Sequence, residues 1–353
     1  MPTLTDIFAS DAFSCYSLTA AIQKMAPIKD IIGQLGIFRE IPVPTTNIVI
    51  EESRGLRTLV PTTPRGGPGI PSRDSTRVAT SFKVPHYQLD DTVLADDILN
   101  VRAFGSSEPA PAGEIIGRKL ATMAQNVETT HEYMKHGALQ GSLIYPDSSV
   151  DATLDLYTQF GLTNKATDEI AVDFLTGTAT TDIAGTVVPA IRDGIELALG
   201  GTPYTGIVAL CGRTFFRKLI GHAMIKGLYL QQVQQYNLAA VGSPPGSQGY
   251  MSFTLNGVTF IEYYNKVGTS SGEANDGTFQ MDAEAKAFPI GADIFHGYVA
   301  PADIVEAAGT LGQIMYARQW LTPNGKAANL EVQSNVLYIC TRPKALIHCH
   351  TST

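Results

Sequence analysis

The tripeptide His348-Cys349-His350 places two imidazoles on one side of a strand, because alternate residues of a strand share a face. Two imidazoles are a metal-ligand pair but an incomplete zinc-type set, which needs three or four donors. A terminal strand with polar residues outward explains the pattern without an ion, so no metal is expected. The turn Leu210-Cys211-Gly212-Arg213 joins an apolar strand to a helix. It has neither G-x-G-x-x-G nor G-x-x-x-x-G-K-[ST], without which the backbone cannot cradle a phosphate in the usual way. A helix start can activate a cysteine such as Cys211, but no local His or Asn pairs with it, and a buried thiol is expected. Cys15, Cys211, Cys340 and Cys349 have no C-x-x-C spacing. They read as free, buried thiols from a reducing compartment. Asp90-Asp91 and Asp96-Asp97 are neighbours in sequence rather than carboxylates facing across a cleft. His131 and His136 stand five residues apart, off a common helix face, and are expected at the surface or its boundary. Neither G-x-S-x-G nor H-E-x-x-H occurs. No catalytic or cofactor-binding residue is expected, and no cofactor.

A different chemistry stands out between Glu51 and Arg77. Arg54, Arg57, Arg65, Arg73 and Arg77 face only Glu51, Glu52 and Asp74 there, in a chain whose 33 carboxylates outnumber 25 Lys and Arg for a net charge of -8. A basic, Gly/Pro-rich loop on an acidic protein suits contact with an acidic neighbour. The acidic total argues against a partner gripped through phosphate neutralisation.

Those residues need elements to hold them. At 353 residues, 44% hydrophobic and 16% charged, the chain is globular and long enough for two or three domains. No run reaches the ~20 apolar residues of a membrane span, and Met1–Ile22 lacks the pattern of a signal peptide. The start reads as an arm: a short helix over Ser17–Met25, then an extended run from Ile28 to Ile50 interrupted by Pro42 and Pro44. A strand is expected over Thr80–Tyr87. The strongest periodicity follows: Ile116, Leu120, Met123, Val127, Thr130, Met134 and Ala138 recur at steps of three and four. They form one apolar stripe on a helix over about 113–138, lying across a sheet. Arg118, Lys119, Gln125, Glu128, Glu132 and Lys135 are expected on the solvated side.

Beyond Gly141, a hairpin is expected from Ser142–Tyr145 and Ala152–Tyr157, and a helix from Val187 to Leu199 stopping at Gly200-Gly201. A strand Ile207–Cys211 should enter a helix Arg213–Lys226. A hairpin over Phe253–Tyr264 should turn at Asn256-Gly257. Gly268–Asp282 reads as a loop, and Leu330–His350 as two strands around Thr341-Arg342-Pro343.

Five stretches, in order, resemble the major capsid protein family typified by the phage lambda head protein. They are TSFKVPHYQLDDTVLADDILNVRAFG (Thr80–Gly105); THEYMKHGALQG leading to DLYTQFG within Glu128–Leu162; Phe288-Pro289-x-Gly291 with YVAPAD (Tyr298–Asp303); Leu311-Gly312 with Tyr316-Ala317; and LEVQSNVLYICTRPKAL (Leu330–Leu346). The resemblance runs from about residue 40 to the end.

It implies an α+β, HK97-type capsid fold. The implied parts are an N-terminal arm (1–50), an extended loop (51–79), a peripheral domain (80–184) with its spine helix (113–138), an axial domain (185–325), and C-terminal strands (326–353) returning to the peripheral domain. One peripheral sheet would combine strands near 80–104, 142–157 and 330–350. The five loop arginines would make contacts between subunits, and Leu120, Met123, Val127 and Met134 would form the spine-helix core.

The implied function is that of a non-enzymatic major capsid protein of a tailed bacteriophage. It would form hexamers and pentamers of an icosahedral head around double-stranded DNA, assembled in the host cytoplasm. Relatives that crosslink covalently use a lysine in the extended loop; residues 51–79 contain none, so isopeptide chains are not expected. With no scaffolding region evident before the arm, a separate scaffolding protein is expected, with a portal and room for a decoration protein. The alternative is an encapsulin-like compartment shell of the same fold. A rival of another class is a soluble enzyme using Cys211 or the terminal histidines.

Overall fold

The structure, a computed structural model, describes residues 18–20, 31–54, 76–94, 112–145, 152–162, 169–172, 182–227, 251–263, 283–324 and 326–351. Residues 18–20 are helical, within the span expected for Ser17–Met25. The extended run expected from Ile28 to Ile50 is instead a helix, α1 (Ile31–Leu35), followed by strands β1 (Arg39–Pro42) and β2 (Asn47–Arg54). Ile31 and Ile32 bury into the main core, and that burial overrides their extended propensity. Pro42 ends an edge strand, where its missing N–H costs no ladder bond.

β2 pairs antiparallel with β3 (Thr76–Lys83) from Asn47↔Lys83 out to Arg54↔Thr76. The strand expected over Thr80–Tyr87 is cut at Pro85: β3 stops at Lys83, and β4 (Tyr87–Leu94) starts afresh in another sheet. The long helix α2 (Ala112–Leu139) follows. Then come β5 (Ser142–Tyr145) and β6 (Ala152–Asp155), a separate antiparallel pair. Leu156 and Tyr157, expected in β6, begin the short helix α3 (Leu156–Gln159), because the Asp155 carboxylate accepts hydrogen bonds from the N–H groups of Tyr157 and Thr158.

The largest sheet has six strands in the order β7-β16-β11-β8-β10-β9. These are β7 (Glu169–Val172), β8 (Gly206–Cys211), β9 (Ser252–Leu255), β10 (Val258–Glu262), β11 (Glu284–Ile290) and β16 (Ile347–Thr351). Helices α4 (Val188–Leu199) and α5 (Arg213–Gly221) pack on it within the main core. α4 ends at Gly200 in the left-handed conformation, φ 57°. α5 stops at Gly221 rather than Lys226, with a bend at His222 before a further helical segment over 223–227. β9 and β10 turn through Asn256 (φ 47°) and Gly257 (φ 86°), both left-handed as a tight type I′ turn requires. The loop expected over Gly268–Asp282 lies outside the described residues.

Two three-stranded sheets complete the frame. One is β1-β12-β15, from β12 (Phe295–Val299) and β15 (Val336–Cys340); the other is β13-β14-β4, from β13 (Tyr316–Leu321) and β14 (Ala327–Ser334). The C-terminal stretch is therefore three strands in three sheets, not two strands in one. Asn335 makes the first break. Its Oδ1 accepts from His86 Nδ1 at 2.7 Å, its Nδ2 donates to the Pro301 carbonyl at 2.6 Å, and its own carbonyl accepts from Ala300. A buried amide so engaged pins the chain where it crosses between sheets. The single sheet expected from 80–104, 142–157 and 330–350 is thus divided: β4 joins β14, β5 and β6 stand apart, and β16 enters the six-stranded sheet.

Candidate functional site

Two features could serve contact between subunits: the β2–β3 hairpin and α2. Arg54 lies at the end of β2 and Arg77 near the start of β3, where the hairpin leaves its sheet pairing. Arg57, Arg65 and Arg73 lie outside the described residues. The hairpin base is anchored: Ile48, Phe82 and Val84 are buried in the main core, and the Phe82 ring sits 5.7 Å from Phe160.

Helix α2 buries Ile116, Leu120, Met123 and Val127 against Val93, Ala317, Leu330 and Val332, the facing residues of β4, β13 and β14. Further along, Met134 and Ala138 meet Val299, Val336 and Tyr338. The expected solvated side ends partway: Arg118 and Gln125 are exposed, but Glu132 and Lys135 are buried. His131 and His136, expected at the surface, are each 1% exposed. The cause is that the arm and the β1-β12-β15 sheet close over this end of the helix.

Glu132 shows the closure most directly. Its two carboxylate oxygens accept from the backbone N–H of Ile32 (2.8 Å) and Gly33 (3.0 Å), capping α1 from 100 residues away. His136 stacks on Tyr263, centroids 5.4 Å apart. His131 Nε2 lies 2.7 Å from Ser334 Oγ, whose hydroxyl donates to the Ile314 carbonyl. Ser334 must then accept, so the imidazole proton sits on Nε2 and Nδ1 faces Glu128 at 3.6 Å. Burial, the largest influence, lowers the His131 pKa, against the pull of the nearby Glu128 carboxylate toward the charged form. Lys135 lies 3.8 Å from Glu128 and 5.0 Å from the centre of the Tyr338 ring. Burial, with Glu128, Glu40 and Glu132 nearby, holds the Tyr338 phenol well above its usual range. Glu40, Glu128, His131, Lys135 and Tyr338 line one side of a cleft of about 680 Å³ between the arm, α2 and Gly312–Met315.

Gly312 of the Leu-Gly pair is required by this packing, since a Cβ there would collide with the backbone of Val299 and Ala300. Nothing in its periodicity announces that; close backbone approach leaves no trace but the glycine itself.

Cys15 lies outside the described residues; the three described thiols are all buried. Cys211 is fully buried, and burial raises it well above the ordinary thiol value; Cys340 and Cys349 are pushed up to about 12 by the same cause. They stay protonated and pack as small apolar groups. The terminal histidines do find a third group. His348 Nδ1 lies 3.7 Å from Glu169 Oε1, a carboxylate that sequence reasoning missed because the partner strand is almost 180 residues away.

An anchored hairpin, a long helix across an antiparallel sheet and a six-stranded mixed sheet make up a fold of the HK97-type capsid class. The putative capsid protein of an E. coli CFT073 prophage shares the fold, with a TM-score of 0.60 at 12% identity, covering 96% of this chain and 99% of that one. The capsid protein of cyanophage Pam1 follows at 0.50 and 12%, covering 90% and 88%. By sequence, the major capsid protein of Pseudomonas phage KPP10 is 26% identical over 346 residues, 94% of this chain and 96% of that protein. The major capsid protein of Salmonella phage Felix O1 is 25% identical over 359 residues, covering 95% of each. The model of the family described as phage major capsid protein E matches residues 14–351, and the chain belongs to that family. It is a phage major capsid protein, a structural component of the virion shell rather than an enzyme.

Proposed function

We propose that the chain assembles as hexamers and pentamers into an icosahedral head that encloses double-stranded DNA, built in the host bacterial cytoplasm. A portal and a separate scaffolding protein would be its partners, and the arrangement is compatible with a decoration protein. The observation that carries this reading is the family match along residues 14–351. Residues 1–50 act as the arm, 51–79 as the extended loop, 80–184 as the peripheral domain and 185–325 as the axial domain. Of the C-terminal residues 326–353, β14 and β15 serve the sheets around α2, while β16 serves the six-stranded sheet.

The mechanism is geometric. One chain sits in several similar environments, so binding is spread over many neighbours rather than concentrated in one pair. The hairpin base stays fixed in its own subunit, and the loop beyond it reaches a neighbour. There Arg54, Arg57, Arg65, Arg73 and Arg77 pair with carboxylates of an acidic shell. The same acidity, net -8, gives packaged DNA few phosphate partners to stick to.

Reversing Arg57, Arg65 and Arg73 together to Glu tests the loop. The subunit should remain folded by circular dichroism while closure into shells is blocked or weakened, most visibly at low salt where the reversed charges repel unscreened. Normal particle yield across a salt series would place the assembly contacts elsewhere. Nuclease-protected double-stranded DNA in particles purified from infected cells tests the cargo; particles filled with protein alone would refute it.

A further inference from the structure

The edge of the six-stranded sheet carries a cluster of metal-ligating side chains. β7 runs parallel to β16 with Glu169 opposite His348 and Ala171 opposite His350. Side chains at paired positions point to the same face, and so do residues two apart on one strand. Glu169, His348 and His350 therefore converge, each offering one ligating atom, with these atoms all within 4.8 Å of one another. The two imidazole rings are 5.9 Å apart, centre to centre. Donors bound at about 2.0–2.2 Å to one tetrahedral ion stand roughly 3.4 Å apart, so side-chain adjustments on the order of an ångström close the set.

Glu284, the register partner of His350 on β11, supplies a second observation. Its carboxylate lies 2.9 Å from His348 Nε2. A carboxylate on one imidazole nitrogen fixes the proton there and leaves the other nitrogen as a lone-pair donor, the arrangement that orients metal-ligating histidines. Here the free nitrogen is Nδ1, and it faces Glu169. Lys286, opposite His348, is the cation of this face. The two carboxylates outweigh it, leaving a net negative charge that favours a cation. Glu169 is exposed and both histidines are partly exposed, so an ion can enter from solvent.

We propose that Glu169, His348 and His350 form a binding site for a divalent transition-metal ion of the zinc class, oriented by Glu284. Two imidazole nitrogens and one carboxylate oxygen suit zinc; magnesium and calcium take oxygen-only sets. The ion would clamp β7 to the sheet. β7 has four residues and one neighbouring strand, so it has few contacts of its own to hold it.

The test uses the full chain without a histidine tag, equilibrated with zinc chloride alone and then gel-filtered. One zinc per chain should remain by elemental analysis, and zinc should raise the unfolding temperature. His350→Ala and Glu169→Gln should each lower the affinity measured by calorimetry about tenfold or more, and Glu284→Gln by about 10–100-fold, as outer-shell partners do. His296→Ala, which alters a histidine that pairs with Asp293 and Tyr298, should leave binding unchanged. Absence of stoichiometric zinc would overturn the proposal. So would zinc held equally by Glu169→Gln, which changes an exposed side chain isosterically and so decides the matter even if His350→Ala fails to fold. Loss of zinc on His296→Ala would equally overturn it, by placing the ion elsewhere.

Discussion

From Ala112 to Val127, helix α2 keeps Arg118, Thr122 and Gln125 in water while one apolar stripe lies on β4, β13 and β14. From His131 to Leu139, every residue except Tyr133 is buried, polar ones included. The first half is an ordinary amphipathic helix whose stability comes from burying a face. The second is a junction, where Glu132 holds the arm, His131 reaches β14 through Ser334, and Lys135 lies against β15 through Tyr338. One helix thus does two jobs: its first half braces a sheet, and its second ties together segments distant in sequence. For a shell subunit the distinction matters, because the two halves hold different parts of the arm: Ile32 and Gly33 are bound by the second half, whereas Leu18 packs in the core of the first and Thr19 bonds Ala317 of β13.

The difference can be attacked from either end. The largest effect is expected in the first half, where Leu120 is 3% exposed. Leu120→Ala should cost ~2–5 kcal/mol through the lost contacts and the cavity left behind. An unchanged melting temperature of the isolated subunit would contradict this. In the second half, Glu132→Gln leaves one amide oxygen where two carboxylate oxygens cap α1. A loss of ~1.5–3 kcal/mol is expected, as for hydrogen bonds to a charged group. Protease sensitivity should rise within residues 31–42 and not on β13 or β14. Unchanged arm protection would show that the apolar contacts of Ile31 and Ile32 hold the arm alone.

The smallest effect concerns pH. His131 is facing Glu128, Lys135 and Glu40, and burial dominates, lowering its pKa from 6.5. Unfolding lets the imidazole take up a proton that the folded state refuses. Its contribution is therefore complete above about pH 6.5 and is lost as pH falls from there toward the lowered folded value. Urea midpoints between pH 7 and 5 should fall less steeply in His131→Gln than in the parent. Equal slopes would assign acid sensitivity to other groups.

Much of the first half was legible because a stripe facing a sheet leaves a periodic trace: Leu120, Met123 and Val127 recur whatever covers them. The turn at Asn256-Gly257 and the stop at Gly200 were legible for a local reason, since only certain residues take positive φ easily. The second half was not. Glu132, Lys135 and His136 look like solvated residues until α1, β15 and Tyr263 arrive from elsewhere in the chain. The same limit hid Glu169 beside His348 and the division of Leu330–His350 among three sheets, where a single buried asparagine makes the first break. Pairing across the chain has no local signature, so β-sheet membership and buried polar partners emerge only from the fold.

The most direct test is cryo-electron microscopy of particles formed by the purified full chain. Closed shells are expected, in which α2 keeps its packing on β4, β13 and β14 within each subunit while the loop beyond β2 and β3 lies on a neighbouring one. A monomer or small oligomer under all assembly conditions, or closed shells whose loops fold back onto their own subunit, would contradict the account.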